Sequence, residues 1–477
     1  MVSGLPPALS GFVAVVLAAM LLPSVARAQI LTPWPFLPIE ITPSVAVEER
    51  YTDNFFQTRD KVEEFRTSIL PSLTIGATTG RNRADVQYTL QVAHSSIRND
   101  NPLLFHFLNV TDRLSITDRI FLTLKENLTI TDNAAVSDVR GLQRSISRST
   151  SNTIAVIAAY EGDLHGASID YARTTVTRKQ ESASAFTSSA ASATGTATEA
   201  KFESTIDTVG ANGKLSLGPR LLLDARVAYT DAEFTTTAGA STTGTSTSNV
   251  PFISGFTGYE TRLGLTRQFP ADMVVTGSGS WALRQPDVGD DLTIWRGQIG
   301  VTRPLNPSLL VEGNVGWDAT QGAVSFSGPS GGLKVTYFGP SIRATLSGGQ
   351  TLQETFAQTV NVGLVQTRDL TLSLAYAPTD RVQVHLGGSI VNTEFLQPDV
   401  AASAGVVTST TTRRPDTTLY TVNASLTLNL TKALTLYLAY DYRTREVEEQ
   451  KGLQPTSFTL TNFEANTFTV RLTATYQ

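Results

Sequence analysis

The chain has no cysteine, which excludes disulfide staples, thiolate nucleophiles and anchoring through a lipidated thiol. Four histidines among 477 residues leave little for metal ligation or general-base catalysis. His94 and His106 flank a loop, His165 falls in a turn, and His385 shares a polar strand face with Gln383 and Ser389. There is no phosphate-cradling glycine loop, no His/Cys metal spacing and no dinucleotide fingerprint. Charge is scarce, at 17% of residues and a net −5, which argues against a nucleic-acid partner. Past residue 28 no apolar run approaches the roughly 20 residues that a spanning helix needs. No catalytic, cofactor-binding or metal-binding residue is expected, and no enzyme.

What the chain has in quantity is alternation. From Tyr420 to Leu430 the residues Tyr420, Val422, Ala424, Leu426, Leu428 and Leu430 share one parity, while Thr421, Asn423, Ser425, Thr427 and Asn429 take the other. After a turn at 431–433, Leu434, Leu436, Leu438, Tyr440 and Tyr442 point one way and Thr435, Tyr437, Ala439, Asp441 and Arg443 the other. Period two between an apolar and a polar set marks strands separating unlike environments. Pairing Leu428 with Leu436, Leu426 with Leu438 and Asn423 with Asp441 keeps each face uniform across the hairpin.

The same texture fills the chain. Residues 1–28 read as a secretory signal: an apolar stretch over 11–22, then Ala26-Arg27-Ala28 as a small-x-small cleavage site. Residues 29–43, with Pro33, Pro35, Pro38 and Pro43, read as a periplasmic lead-in that cannot join a regular ladder. Residues 44–477 read as strands. Short connections with turn chemistry occur at 79–82, 117–119, 217–220, 270–272, 305–307, 377–380 and 431–433. Long Ser/Thr/Ala/Gly tracts occupy 182–200, 236–249 and 401–412. Tight turns at one end and long polar loops at the other characterise outer-membrane barrels. The expected fold is all-β, a transmembrane antiparallel up-and-down β-barrel of about 20 strands, with 18 as the alternative because Gln366 and Arg368 interrupt the apolar parity of one segment. Glu126, on the parity of Leu122 and Leu124, requires a bulge or a position above the bilayer.

Aromatics support an orientation. Trp281, Trp295 and Trp317, with Tyr229, Tyr420, Tyr440 and Tyr442, fall on the apolar parity near the long-loop ends of their strands, as an interfacial girdle requires. The opposite parity carries Asp224, Arg226, Glu260, Arg262, Arg284, Arg296, Gln298, Glu312, Asp318, His385, Asp441 and Arg443, the candidates for lining a hydrated lumen. Their mixed signs give no ion preference and suit neutral or weakly charged solutes such as saccharides.

The stretch from Ile41 through Thr42-Pro43-Ser44-Val45-Ala46-Val47-Glu48-Glu49-Arg50-Tyr51-Thr52-Asp53-Asn54, followed by Ile69-Leu70-Pro71-Ser72-Leu73, resembles a family of outer-membrane β-barrel porins associated with exopolysaccharide or capsule loci of Gram-negative bacteria. That resemblance implies a porin or conduit for hydrophilic solutes, with exopolysaccharide export as one use, and transfers no binding residue. A surface adhesin or receptor whose loops plug the barrel is the competing reading. The last strand, with Phe468, Val470, Leu472, Ala474 and Tyr476 on one face, looks like the signal read by the barrel-insertion machinery. The expected partners are outer-membrane lipid, that machinery, and polysaccharide with its periplasmic export components.

Overall fold

The computed structural model describes residues 39–57, 59, 61–131, 147–180, 200–238, 255–287, 289–357, 360–396, 416–448 and 462–476. The expected signal segment lies outside these, as do the Ser/Thr-rich tracts apart from their ends. Twenty strands alternate up and down: β1 Ile39–Thr52, β2 Glu64–Thr78, β3 Asn82–Ser95, β4 Arg98–Ser115, β5 Ile120–Thr131, β6 Ser147–Glu161, β7 His165–Gln180, β8 Ala200–Gly218, β9 Leu221–Ala238 and β10 Phe256–Gln268. The second half continues with β11 Val274–Pro286, β12 Leu292–Asn306, β13 Leu309–Gly322, β14 Phe326–Phe338, β15 Ile342–Ala357, β16 Val360–Thr379, β17 Val382–Leu396, β18 Thr417–Asn429, β19 Leu434–Val447 and β20 Phe463–Thr475. Each strand pairs antiparallel with its sequence neighbours, and β1 closes on β20 from Ser44↔Thr475 to Thr52↔Thr467. Closure gives every strand a partner on both sides.

The hairpin at 418–443 takes the expected register, with Leu428↔Leu436, Leu426↔Leu438 and Asn423↔Asp441. The even count follows from β16, which is one strand through Gln366 and Arg368 rather than two. Its polar part is stabilised beside β17, where Arg368 Nη2 lies 3.5 Å from Glu394. Eighteen strands are thereby excluded. All the short turns expected from sequence fall at the end that holds both termini of the barrel.

Two boundaries differ from expectation, and one mid-strand position is settled. β1 begins at Ile39, five residues before the expected start, and takes Pro43 into the ladder opposite Leu73. The carbonyl of Pro43 accepts from Tyr476 N–H at 3.0 Å, so its missing N–H faces the last residues of β20 and forgoes a single bond at the end of that ladder, leaving the β1–β2 ladder intact. The turn expected at 377–380 falls at 380–381, because β16 bulges between Tyr376 and Thr379 and carries Pro378 inside the strand. Glu126 is not on a bulge: both of its ladders are continuous, and it stands opposite Val110 and Ile154.

The two faces are unlike. One parity holds the large exposed apolar residues, among them Val315 at 71% and Ile299 at 61% exposure. Left in water that surface would cost about 25 cal/mol per Å²; facing lipid it costs nothing. The other parity makes contacts that skip strands, such as Arg226 on β9 with Asp170 on β7 at 3.2 Å, which only the concave side of a curved sheet permits.

Candidate functional site: the lumen and its mouth

Every lumen candidate has the concave parity. Pairings through the ladders place Asp224, Arg226, Glu260, Arg262, Arg284, Arg296, Gln298, Glu312, Asp318, His385, Asp441 and Arg443 on that face. The candidate aromatics all take the other face. Trp281 sits directly opposite Trp295 with ring centroids 6.2 Å apart, Trp317 opposes Gly297, and Tyr229 opposes Tyr259 at 5.3 Å. A second arc runs Tyr440, Phe468, Tyr51 and Phe65 across β19, β20, β1 and β2. Its Tyr440–Phe468 and Tyr51–Phe65 centroids are 4.8 and 4.6 Å apart, close enough for rings to add roughly 0.5–1.5 kcal/mol per pair beyond burial. Tyr420 and Tyr442 flank that arc on β18 and β19. The outward parity of Tyr51, Phe65 and Phe468 was readable in sequence; their meeting at the closing seam was not.

The mouth at the loop end is where the wall departs from a plain cylinder. β15 pairs with β14 only up to Gly331↔Gln350, while its partnership with β16 continues to Ala357↔Val360. Beyond Gln350 the β15–β16 hairpin leaves β14 and leans inward across β11, β12 and β13. Leu352 donates its N–H to Asp318 Oδ2 at 3.4 Å and accepts from Arg296 Nη2 at 2.7 Å. Arg284 Nε donates to Glu354 at 3.2 Å, and its Nη2 lies 3.8 Å from Glu260. The back of the hairpin, through Leu352 and Leu364, packs on Ile294 and Val324 in a dry cluster. Four sequence candidates, Glu260, Arg284, Arg296 and Asp318, thus meet at one place, holding an element that alternation alone could not reveal.

The remaining candidates divide into local groups. Arg226 Nη1 donates to Asn212 at 2.9 Å and shares Asp170 with Asn212, which donates to it at 2.7 Å. Glu312 forms an ion pair with Lys334. Asp224 faces Lys214 across the β8–β9 ladder, and Asn314 Nδ2 donates to Gln298 at 3.3 Å. His385 sits between Ala375 and Ser425 on the inner face of β17. The other histidines are dispersed. His94 and His106 lie on the outer face of β3 and β4, with His106 Nδ1 2.9 Å from Tyr88 Oη, and His165 lies beside Tyr160, ring centroids 5.4 Å apart, next to a turn. Among the described residues no cluster of three His, Cys, Asp or Glu side chains could hold a metal ion.

The inner wall near the closing seam holds residues that sequence reading passed over. Arg50, Arg66, Arg445 and Arg471 join Arg443 on the concave face of β1, β2, β19 and β20. Beside them the connection after β1 tucks in. Asn54 and Phe55 are buried, Asn54 Nδ2 donates to the Glu464 carbonyl at 2.8 Å, and Phe55 N–H donates to Val62 at 2.8 Å.

A closed antiparallel barrel with an apolar outer belt, a polar interior and both ends of its ladder on the tight-turn side is an outer-membrane β-barrel, and that fold places the chain in the outer membrane of a Gram-negative bacterium. Solved structures bear out the fold. The chain is similar to the ferric enterobactin receptor of Pseudomonas aeruginosa, with a TM-score of 0.54 and 9% identity over 92% of this chain and 80% of that one. It is also similar to the FrpB iron transporter of Neisseria meningitidis, at 0.53 and 8% over 91% and 82%. A third likeness is to BauA, the ferric preacinetobactin receptor of Acinetobacter baumannii, at 0.53 and 13% over 91% and 80%. At such identities the likeness is one of architecture. No family model matches the sequence, and no curated protein is similar to it.

Proposed function

We propose that the barrel is a conduit carrying hydrophilic solutes across the outer membrane, with its outer mouth narrowed by the β15–β16 hairpin. The observation that carries this reading is the inner wall. Thr421, Asn423, Ser425 and Thr427 on β18, and Gln87, Thr89 and Gln91 on β3, keep the concave face polar along the strands while the convex face is apolar. A protein needs such a lining only where water or a wet solute fills the interior. Barrels of 16–18 strands leave an aqueous channel and those of 22 hold a plugged lumen, so a 20-stranded barrel with an inward hairpin is consistent with a narrowed passage. Exopolysaccharide export is the use suggested by the resemblance around 41–54, with polysaccharide and its periplasmic export components as partners. The outer-membrane insertion machinery would act on β20.

The second reading is a surface receptor closed by its own segments. It is favoured by the buried Leu352–Leu364 cluster at the mouth and by the receptor function of the iron receptors that share the fold. Planar-bilayer recording separates the two. The conduit reading expects steady conductance, blocked in a size-dependent way by graded neutral sugars, and a larger conductance in Leu352→Asp, which detaches the hairpin. A barrel that stays silent both as wild type and as Leu352→Asp, while retaining heat-modifiable migration on gels, overturns the conduit.

A further inference from the structure

The inner wall where the barrel closes is crowded with arginine. Arg50 on β1 lies directly across the ladder from Arg66 on β2, two like charges where an opposed pair would be the stable choice. Arg471 on β20, and Arg443 and Arg445 on β19, face the same space. These five arginines share the sector with three carboxylates, Glu48, Glu64 and Asp441. The carboxylates are already engaged. Arg471 grips Glu48 through Nε at 2.7 Å and also through Nη2, Ser95 Oγ donates to Glu64 at 2.7 Å, and Asp441 lies 3.8 Å from Arg443.

Arg66 is only 8% exposed, yet its Nε has no hydrogen-bond partner, and the same is true of Arg50 Nε. Polar groups are buried at a cost unless something supplies the missing acceptor. Among the described residues the ladder neighbours of these two arginines add no acceptor charge: Thr469 opposes Arg50 and Ser95 opposes Arg66. Asn54 and Phe55 close over this end of β1, and partial exclusion of water strengthens an ionic contact made there.

We infer that this sector is a subsite for an oxyanion carried by the transported solute, with Arg50 and Arg66 as the recognising pair and Arg443 and Arg445 supplying field. Guanidinium forks match carboxylates two bonds at a time, and a polar, hydroxyl-lined wall suits sugar. The class that satisfies both is a carboxylate-bearing saccharide, a polyuronate. This rests on the conduit reading above and replaces its expectation of neutral cargo with an anionic one.

The test uses the full barrel in planar bilayers, with oligogalacturonate, a neutral dextran of similar length and inorganic phosphate as probes. Oligogalacturonate should block at a concentration about tenfold or more below the dextran, an advantage of the size expected from one lost charge-assisted contact. That advantage should shrink as salt rises, disappear in the double variant Arg50→Gln, Arg66→Gln, and return in Arg50→Lys, Arg66→Lys. Equal block by dextran, or an undiminished advantage in the Gln variant, overturns the subsite. Phosphate competing as well as the oligomer overturns the saccharide assignment. If the barrel conducts nothing, calorimetric titration of the detergent-solubilised protein with the same probes decides separately. Oligogalacturonate binding that the Gln variant loses and the Lys variant keeps supports the subsite although the conduit has failed, and no binding removes both.

Discussion

The two sides of the lumen use charge differently. From β7 to β15 most inner charges are set against one another, Asp170 with Arg226, Glu312 with Lys334, Arg284 between Glu260 and Glu354, with Arg262 across the ladder from Arg226 as the exception. Around the closing seam, Arg50 faces Arg66 with further arginines alongside. The first side uses charge to fasten structure, and its clearest product is the hairpin held over the mouth. The second sets Arg50 against Arg66 and leaves the Nε of each without an acceptor. A lumen whose polarity served only hydration would be expected to look like the first side all the way round.

The largest effect should come from cutting the fastening. Arg284→Met strands Glu354 and Glu260 beneath the hairpin, and the Arg284 and Glu354 side chains are each only 18% exposed. Removing one partner of a buried pair costs about 3–5 kcal/mol, and the residual hydration here brings the expected loss to about 2–3. Urea-induced unfolding in lipid would measure it, with a rise in single-channel conductance as the hairpin loosens. A loss under about 0.5 kcal/mol would mean the pair is no more than a surface salt bridge.

The same substitution on the other side should behave differently. Arg66→Met removes a buried guanidinium that faces another, so unfolding should shift by about 0 to 1 kcal/mol toward greater stability, as when buried charges give way to apolar groups. A loss above about 1 kcal/mol would show Arg66 to be a structural partner of Glu64 and would erase the contrast between the sides.

Much of this barrel was legible in sequence because period two reports a face directly. The register of the 418–443 hairpin, the outward tryptophans and the inward charges follow from which residues alternate with which. What stayed hidden was decided by closure and bending. Arg50 and Arg66 meet Arg443 and Arg445 only because β1 joins β20, at opposite ends of the chain. Nothing in the spacing of Leu352, Glu354 and Leu364 distinguishes a hairpin that continues the wall from one that folds inside it, since parity survives a bend. Pro43 misled for a related reason, because its tolerance depends on where the neighbouring strand ends.

The smallest effect belongs to the rim of the seam. Burial pushes the Asp53 carboxyl up, but hydrogen bonds from the Asn466 N–H at 2.6 Å and its side-chain amide at 2.8 Å, with Lys61 at 3.5 Å, outweigh it and hold the group below its usual range. A carboxylate with a depressed folded pKa contributes stability in full above its unfolded value of about 4 and loses it as pH falls through the folded one. Asp53 is partly solvated, so the contribution should stay below about 1 kcal/mol. Unfolding of wild type and Asp53→Asn should therefore differ by that amount at neutral pH and converge as the pH falls through the lowered folded pKa. Because Asp53 ties β1 to β20 just above the arginines, its loss should also loosen the seam locally, read as faster amide exchange at Asn466. Unchanged exchange there would place the strength of closure in the ladder from Ser44 to Thr52 alone.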